Sequence, residues 1–145
     1  MINNGYRIKL DADCLRHMSL FQSVTKASAK DCLIDLDKIL FVVNTGQAGM
    51  AIGKEGVNIK NLQRLVKKKV EIVEFNSNLI DFLNNVFRPI KVKDVSDAGK
   101  NDGKRVVKIT VEAGDHMNPK AFIKGKIKRT RDLIKKYFDV DEVLI

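Results

Sequence analysis

Two glycines separated by two charged residues form the segment of this chain best suited to a specific chemistry. Residues Ala51–Ile59 bring together an apolar pair, the loop Gly53-Lys54-Glu55-Gly56 and the start of an amphipathic helix. Glycine tolerates positive φ and has no Cβ, so such a loop can lie flush against a sugar-phosphate chain. The first N–H groups of the following helix favour an anion. The segment therefore predicts a backbone clamp for single-stranded nucleic acid.

The nucleotide-binding loops of enzymes match this segment poorly. A P-loop would need glycine at Ala48 and serine or threonine at Glu55. A dinucleotide-binding fingerprint would need glycine at Ala51. The chain has two histidines, and neither completes a Ser/His/Asp or Cys/His arrangement for nucleophilic catalysis. We therefore predict that the protein is not an enzyme.

Cysteine and histidine are too few for a recognisable metal site. Cys14 and His17 lie three residues apart and could share a metal, but Cys32 and His116 complete no known spacing. We predict no metal and no cofactor. The two cysteines could pair, although in a chain with no secretory leader they are more often buried free thiols.

Composition limits the class of protein. A chain of 145 residues with 44% apolar and 31% charged residues can bury one ordinary core or two small ones. It has no apolar run of about 18 residues and no charged-then-apolar leader after Met1. We therefore expect no membrane insertion and no secretion, and the cytoplasm is the expected location.

The positive charge of the chain is concentrated in two segments. The net charge is +9, with +5 in residues 53–69 and +7 in residues 120–137, which leaves the remainder at −3. Lysine and arginine release counterions from phosphates, so this distribution favours a surface that binds a polyanion. The alternative is that the two segments are simply solvated helix faces.

Apolar periodicity predicts the element order α-β-β-α-α-β in the first half of the chain. Asp11 or Asp13 can cap a first helix that runs to about Val24. The inward face of this helix is predicted to carry Cys14, Met18 and Phe21. A strand pair follows, with alternating Cys32, Ile34 and Leu36, a turn at Asp37-Lys38 and the strand Ile39–Val43. The remaining predicted elements are a short helix ending at Ile52, a helix with Ile59, Leu62, Leu65 and Val66 inward, and a strand at Val70–Phe75.

A second cycle with similar elements follows. Asn76-Ser77-Asn78 supplies a cap for a helix that Arg88-Pro89 ends, and Asn118-Pro119 opens a basic helical stretch. The remaining predicted elements are alternating strands at 90–93 and 107–112, a loop from Gly99 to Gly103 between them, and a final strand at Val140–Ile145. Ile52 aligns with Ile123 and Leu62 with Leu133, which indicates a duplication with a period near 70 residues.

The motifs AIGKEGVNIK at 51–60, VFRP at 86–89 and FDVDEVLI at 138–145, together with the duplicated order, resemble the archaeal NusA-like transcription factors. Nearly the whole chain is covered by this resemblance. It implies an α+β fold of two tandem type II KH domains, each α-β-β-α-α-β with a three-stranded sheet. The expected boundaries are 1–76 for a domain with an intact GxxG loop and 77–145 for one with a degenerate loop.

The resemblance also implies which residues bind RNA. The clamp of a KH domain would use Gly53, Lys54, Glu55 and Gly56 against about four nucleotides of backbone. Other implied positions are Ile52, Ile59 and Leu62 in the apolar floor and core, and Asn58 and Lys60 on the rim of the helix. For Ile59 and Leu62, pure core packing is an equal alternative. Glu55 departs from the family pattern, because it places a carboxylate beside the expected phosphate path.

The second unit departs further from the pattern. The aligned loop reads Lys124-Gly125-Lys126-Ile127 and has lost the glycine pair. A helical stripe of Ile123, Ile127, Thr130, Ile134 and Tyr137 allows one longer helix instead of two. Basic residues could still hold phosphates there as point charges, namely Lys124, Lys126, Lys128, Arg129 and Arg131.

The sequence thus favours a monomeric, non-catalytic factor that binds single-stranded RNA. The resemblance implies a role in transcription elongation and termination, with RNA polymerase as a partner. Two alternatives stay open. One is a ribosome-associated or RNA-processing KH protein, and the other is a protein-interaction scaffold in which RNA binding is incidental.

Overall fold

Two three-stranded sheets, each with one antiparallel and one parallel strand pair, organise the chain. The computed structural model describes the backbone of residues 2–112 and 118–145, and the side chains of residues 12–99, 102–112 and 118–145. The chain divides into two compact units, Met1–Asn76 and Ser77–Ile145. The predicted α+β fold class is confirmed. Within the described residues, every helix is too short or too polar to cross a membrane.

The first unit follows the predicted order α-β-β-α-α-β. Its elements are α1 (Ile2–Thr25), β1 (Ala29–Ile34), β2 (Lys38–Val43), α2 (Ala48–Ile52), a 3₁₀ turn (Lys54–Gly56), α3 (Val57–Val66) and β3 (Lys69–Glu74). The predicted cap at Asp11 or Asp13 is wrong, because α1 already begins at Ile2. Asp13 lies inside the helix, where its carboxylate pairs with Arg16 one turn later instead of capping free N–H groups.

Strand β2 is the centre of the first sheet. It pairs with β1 antiparallel and with β3 parallel, so Ile39–Val43 is buried throughout. This explains its continuous apolar run, since a strand covered on both faces has no solvent side. The prediction that Leu36 continues the alternation of β1 is wrong, because Leu36 lies after the end of β1 and is 97% exposed.

The core of the first unit joins α1, α3 and the sheet. The rings of Phe21 and Phe41 stack with centroids 4.5 Å apart, and Leu62 is fully buried beside them. Leu65 was predicted to face inward, but its side chain is 52% exposed. It precedes the inward-facing Val66 by one residue, about 100° around the helix, and so lies at the edge of the apolar face.

The second unit contains α4 (Leu79–Val86), β4 (Val92–Asn101), β5 (Lys104–Val111), α5 (Pro119–Phe138) and β6 (Glu142–Leu144). The predicted caps are confirmed, because Asn78 accepts from the amide of Asp81 and Asn118 accepts from those of Lys120 and Ala121. The loop predicted from Gly99 to Gly103 is wrong. The strands extend through Asn101, and the turn is only Asp102-Gly103, with φ of 54° and 79°, the two positive values of a tight hairpin.

Helix α5 replaces the two helices expected in the second unit, whose order is therefore α-β-β-α-β. The apolar stripe predicted from the sequence is buried at Ile123, Ile127, Thr130 and Ile134, without a break. Gly125 lies within this helix and does not form a turn. With no second glycine to supply a left-handed residue, the chain keeps the helical hydrogen bonds through this region.

The end of α5 is tied to β5 through Asp141. Its carboxylate accepts from the amide of Arg105 at 2.7 Å and pairs with the Lys135 ammonium at 2.7 Å. The bond from Lys135, followed by that from the Arg105 amide, lowers the pKa of Asp141 below its ordinary value. Asp141 is thus used in contacts that precede the strand, and β6 covers only Glu142–Leu144, three residues of the predicted strand 140–145.

Gly125→Ala is expected to stabilise the protein by about 0.5–1 kcal/mol, because alanine loses less conformational freedom than glycine in a helix. A Cβ at position 125 would meet no atom within 4 Å. Hydrogen exchange of α5 amides and urea unfolding would measure the gain. A loss of stability would show that Gly125 breaks the helix.

Candidate nucleic-acid interface

The loop between α2 and α3 has a backbone that only glycine adopts at its first residue. Gly53 has φ 79° and ψ 167°, a region of backbone space that is essentially restricted to glycine. Its N–H donates to the carbonyl of Gly49 at 3.0 Å and so ends α2. A Cβ on Gly53 would lie 2.9 Å from the Asn58 side chain. Two independent constraints thus require glycine at this position.

Gly56 has a different and weaker requirement. Its φ of 73° and ψ of 18° are left-handed, which asparagine also tolerates. A Cβ there would meet nothing within 4 Å. The open space beside Gly56 is the kind of surface that a sugar-phosphate backbone can approach closely.

Lys54 and Glu55 are both exposed between the two glycines. Glu55 is left-handed at φ 57°, a conformation that costs a non-glycine residue about 1–2 kcal/mol. The predicted acidic position is therefore also a strained one. The two side chains place opposite charges side by side at the N-terminus of α3, where the helix dipole favours the anion of a ligand.

Asn58 connects the two helices on either side of the loop. Its side-chain nitrogen donates to the carbonyl of Met50 at 2.9 Å, which joins the first turn of α3 to α2. The same side chain lies against the backbone of Gly53. Asn58, predicted to reach RNA from the helix rim, thus donates to the backbone of α2 while staying partly exposed, whereas Lys60 is exposed on α3.

The base of the loop is held by the core and by the sheet. Ala51 is fully buried, and Ile59 packs against the same core cluster. The Glu74 carboxylate at the end of β3 accepts from the amide of Ala48 at 3.3 Å, at the start of α2. Gln47 accepts from the amide of Ser28 at 2.6 Å. These contacts position α2, so the loop projects from a fixed support.

Exposed apolar side chains lie on the elements that flank the loop. Ile52, predicted to lie in an apolar floor, is 38% exposed. Met50 and Val57 are about half exposed, and neither was among the residues predicted from the sequence. Their proximity to the glycines was a usable signal, since an exposed apolar residue beside a phosphate-binding loop is suited to contact a base.

In the second unit, the five predicted basic residues separate into two groups. Lys124, Lys128 and Arg131 are exposed on one face of α5. Lys126 lies elsewhere, with its ammonium 5.7 Å from the centroid of the Phe122 ring, and Arg129 is only partly exposed. The loop geometry of the first unit has no counterpart on this continuous helix.

The cysteine and histidine candidates do not form a metal site in the part of the chain that the structure describes. Cys14 and Cys32 are free thiols, and the Cys14 thiol donates to the carbonyl of Cys32 at 3.3 Å. Burial, with a contribution from Cys14, raises the pKa of Cys32. His17 has its pKa lowered, first by burial and then by Lys68. His116 lies outside the described residues.

A family model described as "KH domain" matches residues 15–95, which include the whole loop. A probable transcription termination protein NusA from Halococcus morrhuae is 31% identical over 137 residues, covering 94% of this chain and 97% of that protein. A second probable transcription termination protein NusA, from Methanococcus vannielii, is 42% identical over 89 residues. The match covers 61% of this chain and 51% of that protein, so this chain spans about half the length of that relative.

The fold is shared with a solved structure. The crystal structure of APE1850 superposes with a TM-score of 0.78 at 33% identity, and the match covers 92% of this chain and 98% of that one.

Gly53→Ala is expected to destabilise the first unit by about 1–3 kcal/mol from the backbone alone, with the contact to Asn58 adding to the loss. Gly56→Asn is the matched control, and it should cost less than about 1 kcal/mol because asparagine accepts the left-handed conformation. Hydrogen exchange of the β2 amides reports the first unit. Equal losses in the two variants would contradict the glycine-only assignment.

Proposed function

Because this chain belongs to the KH-domain family and to the archaeal NusA family, we propose that it is a non-catalytic, single-stranded RNA-binding factor that acts in transcription elongation and termination. The observation that carries the proposal is the loop Gly53–Gly56, which precedes α3 and begins with a backbone conformation, at Gly53, that only glycine adopts. Residues 1–76 would form the binding KH domain, and 77–145 a second KH domain with a degenerate loop.

In this proposal the loop holds the RNA by its backbone. The space beside Gly56 admits the sugar-phosphate chain, and the N-terminal dipole of α3 favours a phosphate. Lys54 supplies a point charge at the loop tip. Glu55 opposes it, so we expect its carboxylate to turn away from the bound strand.

Bases would then meet the apolar side chains next to the loop. Ile52 is the predicted floor residue with exposed surface, and Met50 and Val57 extend it. Ile59 contributes mainly by packing beneath them. Asn58 would act by keeping the loop in shape through its bond to Met50, and Lys60 would contact phosphate from the helix. An aliphatic surface of this kind suits short, unstructured RNA.

The proposed setting in transcription is supported by the names of the relatives, which are probable transcription termination proteins. In this proposal the chain is a cytoplasmic monomer that works beside RNA polymerase.

Replacing both Lys54 and Glu55 by aspartate is expected to weaken binding of a single-stranded RNA oligonucleotide by about tenfold or more, since a charge-assisted phosphate contact contributes roughly 1.5–3 kcal/mol. Aspartate tolerates the left-handed backbone at 55. Lys26→Asp makes the same change of charge at the end of α1, in another left-handed residue, and should leave affinity nearly unchanged. Unaltered affinity in the loop variant would refute the clamp.

The setting in transcription has a separate test. The immobilised chain is expected to retain RNA polymerase from a lysate of its source organism, and not ribosomal particles. Retention of ribosomal particles alone would favour the RNA-processing alternative. An affinity for RNA that does not change with salt would favour the scaffold alternative, because phosphate contacts must weaken as salt rises.

A further inference from the structure

Four cations form a straight row along α5. Lys120, Lys124, Lys128 and Arg131 follow one another at intervals of four, four and three residues, which places them on one face of the helix. All four are exposed. At 1.5 Å per residue the row is about 17 Å long. We call these four residues the basic row.

The basic row differs from the other cations of α5 in its contacts with the described residues. Lys135, the next residue on this face, pairs with Asp139 at 3.2 Å and with Asp141 at 2.7 Å. Lys126 lies over the Phe122 ring and Lys136 over the Tyr137 ring. Within the described residues, the four members of the row form no ion pair.

The position of the row along the helix strengthens its field. The row begins with Lys120 in the first turn of α5, where the positive end of the helix dipole adds to the side-chain charge; the dipole effect fades beyond that turn, so the other three members act through their own charges. Asp132 is the one acidic residue between Pro119 and Phe138. It forms no ion pair with Lys128, although it follows by one turn. Helix faces that are only solvated commonly carry charges of both signs. The stretch of α5 that carries the basic row has only positive charges.

We propose that the basic row is a second RNA site, which binds the phosphate backbone without reading bases. This inference rests on the proposed function, since it takes RNA to be the polyanion. A continuous helix lacks the glycine loop that admits a backbone closely, and the aromatic rings of Phe122 and Tyr137 contact cations outside the row. Stacking and base recognition are therefore absent from the row, and charge alone remains.

The proposal refines the set of residues expected from the sequence. Lys120 joins the site, because it lies one turn before Lys124 on the same face. Lys126 and Arg129 leave it, because they lie on other faces of α5. The two units would then contribute differently to RNA binding. The first would contact bases beside the glycine loop, and the second would add affinity that does not depend on the RNA sequence.

The test compares two triple variants of the full chain that lose equal charge. The row variant carries Lys124→Gln, Lys128→Gln and Arg131→Gln, and the control carries Lys126→Gln, Arg129→Gln and Lys136→Gln. Affinity for two single-stranded RNA oligonucleotides of different sequence is measured from low to high salt. Each phosphate contact contributes about 0.7 to the slope of log affinity against log salt. The row variant should therefore lose about 2 from the slope, and the control little.

Two further results are required. The ratio of affinities for the two RNA sequences should not change in the row variant, because no base contact is lost. A charge-preserving variant with Lys124→Arg, Lys128→Arg and Arg131→Lys should keep the wild-type slope. If the triple variant fails to fold, each single substitution to glutamine should lower the slope by about 0.7.

Equal losses of slope in the row and control variants, or no loss in either, would overturn the inference. The loop variants test the proposed function separately. If they leave RNA affinity unchanged while the row variant lowers the slope, the clamp fails and the basic row stands. If they weaken binding while the row variant does not, the clamp stands and the basic row fails.

Discussion

Gly53 is the residue on which the candidate interface depends. Its backbone lies in a region that glycine alone adopts, and a Cβ there would lie only 2.9 Å from the side chain of Asn58. That side chain bonds to Met50 and so joins α2 to α3. The turn at Gly53 and the bond from Asn58 to Met50 therefore both depend on the absence of a Cβ at one position.

The two units show what happens when this constraint is relaxed. Both have a helix, a hairpin, helical structure and a parallel third strand. At the position in the second unit that aligns with the Gly53–Gly56 loop, Gly125 has no second glycine three residues away, and α5 continues through it. A helix exposes side chains instead of backbone, so the same place in the fold offers rows of charge where the first unit offers a loop. Duplication of a fold therefore need not duplicate a binding mode.

Much of the fold could be predicted because the local signals agree with the tertiary structure. Asn78 and Asn118 cap helices through bonds to amides two or three residues away, and such short-range chemistry is visible in a sequence. The continuous apolar run of β2 and the buried stripe of α5 likewise report burial directly. Errors arose where two local options were both acceptable. Asp13 could cap a helix or pair within one, and Leu36 could continue a strand or enter a turn.

The sequence by itself determined the order of elements, the glycine loop, the concentration of positive charge and the family, since these depend on residue types and their spacing along the chain. Only the tertiary structure decided that Asn58 donates to the backbone of α2 and that Leu65 is exposed. It also separated the four cations of the basic row, which form no ion pair with any described residue, from their neighbours on α5. Those properties depend on which side chains from distant segments come within hydrogen-bond or ion-pair distance, and periodicity along one element carries no information about its partners.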